Sequence, residues 1–145
     1  MEMHSEILKP MAVLAAWTMI MWLWMYATRI PAMGAAKVNA DELVKQGGQT
    51  LDDLLPANVQ WKAHNYNHLH EAPTVFYAVA LALAFMGAGD GFNAQLAWVY
   101  AGLRILHSII QATVNKVMVR FLVFALSSLV LMMLVAHTLL IAFAH

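Results

Sequence analysis

Phe121 to His145 reads FLVFALSSLVLMMLVAHTLLIAFAH, 25 residues without an aspartate, glutamate, lysine or arginine. Coiled as an α-helix, such a run is about 37 Å long. Roughly 20 mostly apolar residues suffice to cross the hydrocarbon core of a bilayer. Working back from this stretch, the same test recurs. Pro10 to Thr28 gives 19 uncharged residues and Ala72 to Gly89 gives 18. Gly91 to Leu103 gives 13, Arg104 interrupts, and Ile105 to Asn115 adds 11. That segment spans only if Arg104 lies within the membrane or at its edge. The expected architecture is an all-α membrane protein, an antiparallel bundle of four transmembrane helices near 8–30, 62–88, 93–115 and 117–143. A transmembrane β-barrel would need alternating segments of about ten residues, and none is present.

Composition agrees with this reading. Of 145 residues, 62% are hydrophobic and only 11% are charged, against about 25% charged in soluble domains. Net charge is zero, so no nucleic-acid partner is expected. The absence of cysteine excludes disulfides, thiolate metal sites and a cysteine nucleophile. The first apolar run exceeds the usual 7–15 residues of a signal-peptide core, and is read as a retained helix.

Residues 31–61 form the one long loop. Pro31 and Pro56 bound it, and Asn39–Gln46 carries the signature of a short surface helix, with Asn39 as N-cap and Glu42 three residues on. Gly87, Gly89, Asp90 and Gly91 mark a tight turn between the second and third spans. Arg29, Lys37, Lys45 and Lys62 flank the long loop, and Lys116 and Arg120 flank the last connection, whereas the opposite side has only Lys9. The positive-inside rule then places both basic loops in the cytoplasm and both termini outside. The expected location is a multi-pass position in a bacterial inner membrane.

Polar groups are costly in hydrocarbon and are usually paired or functional. Counted at about 100° per residue, Arg104, His107, Ser108, Gln111 and Asn115 fall within one stripe about 100° wide on the third span. His64, Asn67, His68 and Glu71 share a face of the second span by the same count. Pro73 follows Glu71 and frees a carbonyl about one turn earlier, which kinks the helix. Glu71 and Arg104 are the expected ion pair, since pairing removes two isolated buried charges. Such a seam either fixes helix register and subunit contacts or builds a binding site. Arg29 and Arg120 each read singly as snorkelling side chains. With Arg104 and Lys116 they make a cationic cluster suited to an anionic ligand. His64 and His68 have the i, i+4 spacing of metal ligands, and a haem between histidines is a related option. Asn67 and the positive charge of Arg104 would crowd a cation, so no metal is expected.

Two stretches carry a resemblance. His68-Leu-His-Glu71-Ala-Pro-Thr-Val-Phe-Tyr77 opens the second span. Arg104-Ile-Leu-His-Ser108-Ile-Ile-Gln-Ala-Thr-Val-Asn115, followed by Arg120, forms the third span and the start of the fourth. Together they resemble the MAPEG family, the membrane-associated proteins of eicosanoid and glutathione metabolism, and its bacterial branch in particular. The resemblance implies a homotrimer with glutathione bound between subunits near the cytoplasmic face. It implies that Glu71, Arg104 and His107 contact glutathione and that Arg120 activates its sulfur. His68, Asn67, His64, Gln111 and Arg29 complete the expected glutathione-binding set. Catalytic members commonly carry an arginine where His64 stands, an asparagine where His68 stands, and a tyrosine where Gln111 stands. Asn67 replaces an arginine found in some members, and Phe121 and Phe124 occupy positions that are polar in others. The implied activity is a glutathione-dependent transferase or peroxidase acting on lipophilic small molecules. The alternative is a non-catalytic member that binds lipid or joins a larger membrane complex.

Overall fold

The computed structural model describes residues 4–37 and 54–144. All regular structure among them is helical: α1 (Leu8–Ala35), α2 (Ala57–His68), α3 (Ala72–Phe85), α4 (Phe92–Ala112) and α5 (Val117–Ala142). The expected surface helix at 39–46 lies outside the described residues.

Two helices, α1 and α5, are long and apolar enough to cross a membrane. Most of each faces outward. Met19, Ile20 and Leu23 on α1 and Leu126, Leu129 and Met132 on α5 are all exposed. A core helix of a soluble protein would hide such side chains, so this surface is suited to lipid. The α4–α5 pairing is the most extensive; α1 packs on α2, α3 and α4, and α3 packs on α5. The core formed there holds Leu14, Met21, Phe76, Leu83, Ala97, Tyr100 and Leu134.

The boundaries differ from expectation in three places. First, α1 runs through Pro31 to Ala35. Proline lacks a backbone N–H and so forfeits one helical hydrogen bond, yet Ala36 still donates to the Ala32 carbonyl at 3.0 Å. Second, α2 begins at Ala57, directly after the extended Pro56, not near residue 62. Third, the continuous second helix of 62–88 is two helices. α2 stops at His68 and α3 restarts at Ala72, with Glu71 between them in a non-helical conformation. Pro73, at the start of α3, has no N–H for the Leu69 carbonyl and its ring would press on that group. The backbone bridges the gap with short-range bonds from His70 to Asn67 and from Glu71 to His68.

The turn from α3 to α4 is closely determined. Gly87 takes φ +74°, its N–H donates to the Ala84 carbonyl, and Ala88 donates to the Leu83 carbonyl at 2.8 Å. These two bonds are the Schellman pattern, which needs a left-handed residue at the position Gly87 fills. The segment before α1 closes on this turn. Ile7 N–H donates to the Gly89 carbonyl at 2.9 Å, and Glu6 N–H to the Asp90 carboxylate at 2.9 Å.

Candidate functional site

At the other end of α4 the helices do not close completely. A cavity of about 290 Å³ is lined by His68, Glu71, Ala72, Arg104, His107, Val117, Arg120, Phe121 and Phe124. Three positions come from the break between α2 and α3, and two from α4. The other four sit on α5, where the spacing 117, 120, 121 and 124 places them on one helical face.

Periodicity locates the α4 residues. Arg104, His107, Ser108 and Gln111 are all buried, at 2%, 4%, 0% and 2% exposure. Asn115 is the exception to the expected stripe. It lies past the helix end at φ +49°, where its amide oxygen accepts from Arg120 Nη1 at 2.6 Å. Asparagine tolerates this left-handed conformation better than most residues.

Arg104 does not pair with Glu71. Both line the cavity, but no ion pair links them. Instead Arg104 Nη2 donates to the His68 carbonyl at 3.3 Å. The break explains the change: it leaves Glu71 exposed at the head of α3 and puts the end of α2 against α4. The Arg104 guanidinium also lies 6.0 Å from the Phe124 ring centroid, within cation–π reach. Its Nε and the Nδ1 of His107 are buried without a partner. An unmet buried donor costs about 1–3 kcal/mol, a cost tolerated most often at functional sites.

The remaining expected site residues divide. His68 lines the cavity, and its Nδ1 lies 2.9 Å from Gln111 Oε1. Gln111 stands behind it, off the cavity wall. The His68 and His107 ring centroids are 6.3 Å apart. Asn67 is exposed, and His64 and Arg29 are half-buried; none of the three lines the cavity. Nor does the exposed Lys116, so of the expected cationic cluster only Arg104 and Arg120 meet there.

Two further polar groups of α2 are buried: Asn65, which the polar stripe left out, and Lys62, expected only as a basic flank of the long loop. Asn65 Nδ2 donates to Ser108 Oγ, which also accepts from Trp17 Nε1 at 2.8 Å. This junction ties α1, α2 and α4 directly behind the cavity. Lys62 Nζ donates to the Ala112 carbonyl at 3.3 Å and lies 5.1 Å from the Trp24 ring. A cation is favourable there, against the last carbonyls of α4. The available signal was on α2 itself: Val59, Lys62 and Ala63 fall on one side of the helix at about 100° per residue.

No curated protein and no solved structure matches the chain. The MAPEG family model matches residues 7–140. That span takes in every described helix except the last two residues of α5, and every residue lining the cavity. With that match, and with the apolar outward faces of α1 and α5, the chain is an integral membrane protein that belongs to the MAPEG family.

Proposed function

We propose that this protein is a membrane-bound, glutathione-dependent transferase or peroxidase acting on lipophilic electrophiles. The observation that carries the reading is a cavity with two opposed characters. His68, Arg104 and His107 bring polar groups from α2 and α4, and α5 brings the apolar Val117, Phe121 and Phe124 together with the cationic Arg120. Glutathione has two carboxylates and a thiol. A carboxylate suits a guanidinium as a charge-assisted partner. Arg120, fixed by Asn115, supplies positive charge to a developing thiolate, the nucleophilic form. The phenyl rings give a lipophilic acceptor a place beside that sulfur.

In this reading the chain crosses the bilayer four times, through α1, the α2–α3 pair, α4 and α5. Both termini face outward and the connection between α1 and α2 faces the cytoplasm. The protein works as a homotrimer. A cavity of about 290 Å³ is at the lower end of ligand sites, which run about 300–1,000 Å³. It accommodates the anchored part of a tripeptide, and a second subunit completes the enclosure. The exposed Asn67 and Glu71 then face that subunit and not lipid.

The test uses purified full-length protein in detergent with glutathione and a chlorinated nitroaromatic acceptor. The thiolate forms a bond to the ring carbon bearing chlorine, and chloride leaves with the electron pair. Turnover, together with thiolate absorbance on adding glutathione, is expected. Absence of both would overturn the reading.

A further inference from the structure

The His68–Gln111 contact has a chemical consequence. An amide oxygen only accepts hydrogen bonds, so the Nδ1 that lies 2.9 Å from Gln111 Oε1 carries the hydrogen. A neutral imidazole then has its lone pair on Nε2. Gln111 is 2% exposed and off the cavity wall, whereas His68 lines the cavity. The bonded edge of the ring therefore points away from the cavity, and Nε2 is on the cavity side. The residue is held at its backbone as well, through Arg104 Nη2 on its carbonyl. Arg104 and Gln111 lie two turns apart on α4 and grip the end of α2 between them. A ring fixed in one tautomer by a buried acceptor is how proteins set a histidine to take up a proton.

We propose that His68 is the proton acceptor for the substrate thiol and that Gln111 is the residue that positions it. This rests on the glutathione reading above. The thiol S–H bond breaks, its proton goes to His68 Nε2, and the electron pair stays on sulfur as thiolate. The thiolate forms the carbon–sulfur bond as chloride leaves, and the imidazolium returns its proton to water. Arg104 and His107 from α4, Arg120 from α5 and Glu71 ahead of α3 line the same cavity. His64 precedes His68 by one turn of α2. These are the charged and titratable groups around the ring. The guanidinium groups of Arg104 and Arg120 favour the thiolate product.

The experiment compares wild type with His68→Gln, Gln111→Leu and Gln111→Glu, all full-length in detergent. It measures glutathione binding by equilibrium dialysis, thiolate absorbance, and kcat from mildly acidic to mildly alkaline pH. His68→Gln keeps glutathione binding, loses about 100-fold in kcat at neutral pH, and loses the acidic limb of the kcat profile. Gln111→Leu lowers kcat with little change in KM. Gln111→Glu keeps an acceptor for Nδ1–H, retains activity, and moves the acidic limb to higher pH because the carboxylate makes the imidazole more basic. If His68→Gln binds glutathione and forms thiolate with the wild-type pH profile, this assignment falls and the transferase reading stands. If the wild type does not bind glutathione, both fall. If His68→Gln does not fold, the Gln111 pair decides: equal pH profiles for Leu and Glu overturn the assignment.

Discussion

The two ends of α4 are built on opposite terms. At the N-terminal end, the turn from α3, the segment before α1 and the start of α4 are bonded to one another. Gly89 and Asp90 each accept from the N-terminal segment. Asn93 Nδ2 donates to the Ala88 carbonyl at 2.9 Å, and Asn93 Oδ1 meets His137 Nδ1 at 2.7 Å. At the C-terminal end, Arg104 Nε and His107 Nδ1 are buried without a partner, as Ser5 Oγ also is at the other end, but here they sit where the helices part around a cavity that two arginines line. One end is organised for stability. The other holds charge and unmet hydrogen bonds that a bound anion would satisfy.

Substitutions should separate these roles. The largest expected effect is on the closed end. A Cβ added at Gly89 would lie 2.0 Å from Ser5 Oγ, 2.6 Å from Ile7 Cγ2 and 3.2 Å from the Ala84 Cα. Ser5 can rotate, but Ile7 is fully buried. Gly89→Val should therefore cost about 3 kcal/mol through overpacking, read as a lower unfolding temperature in detergent. Glutathione affinity of the folded fraction should stay unchanged. A loss of affinity as large as the loss of stability would dissolve the distinction between the two ends.

The complementary change is Arg104→Met at the open end. It removes the desolvation cost of a buried charge whose Nε is unpaired, against which stands the loss of one bond to the His68 carbonyl at 3.3 Å, worth about 1 kcal/mol. The unfolding temperature should be no lower than that of wild type, while kcat/KM falls by about 100-fold, or roughly 2.7 kcal/mol. A destabilised but active variant would make Arg104 structural.

A smaller effect is expected from Asn115→Gly. Glycine accepts the φ of +49° at least as well as asparagine, so the backbone is preserved and only the bond to Arg120 is lost. Stability should change by no more than about 0.5 kcal/mol, and kcat should fall about tenfold as Arg120 loses its anchor. Unchanged kcat would show that Arg120 needs no such support.

The two polar stripes show how far the sequence could be read. On α4 the residues at 104, 107, 108 and 111 are all buried together, because one unbroken helix keeps a constant angle per residue from end to end. On α2 the same ruler failed twice. The helix stops at His68, so the angle from His68 to Glu71 has no helical meaning. The face turned inward is also the one bearing Val59, Lys62 and Ala63, because α2 is wedged between α1 and α4. A single helix cannot announce which side its neighbours will cover. The cavity was half legible for a related reason. Arg104, His107 and Arg120 stand out as polar residues among apolar ones, whereas His68 and Glu71 sit in the mostly polar stretch 64–71. Phe121, Phe124 and Val117 match the rest of α5, and only their spacing from Arg120 sets them apart. The bond between Asn115 and Arg120 depends on a left-handed residue after α4, which composition does not signal.

The most direct test is a structure of the full-length protein with glutathione bound. Tripeptide density is expected in the cavity, with a carboxylate against Arg104 and the sulfur between Arg120 and His68. Density for an acyl chain along Phe121 and Phe124, with Arg104 still bonded only to the His68 carbonyl under saturating glutathione, would contradict it.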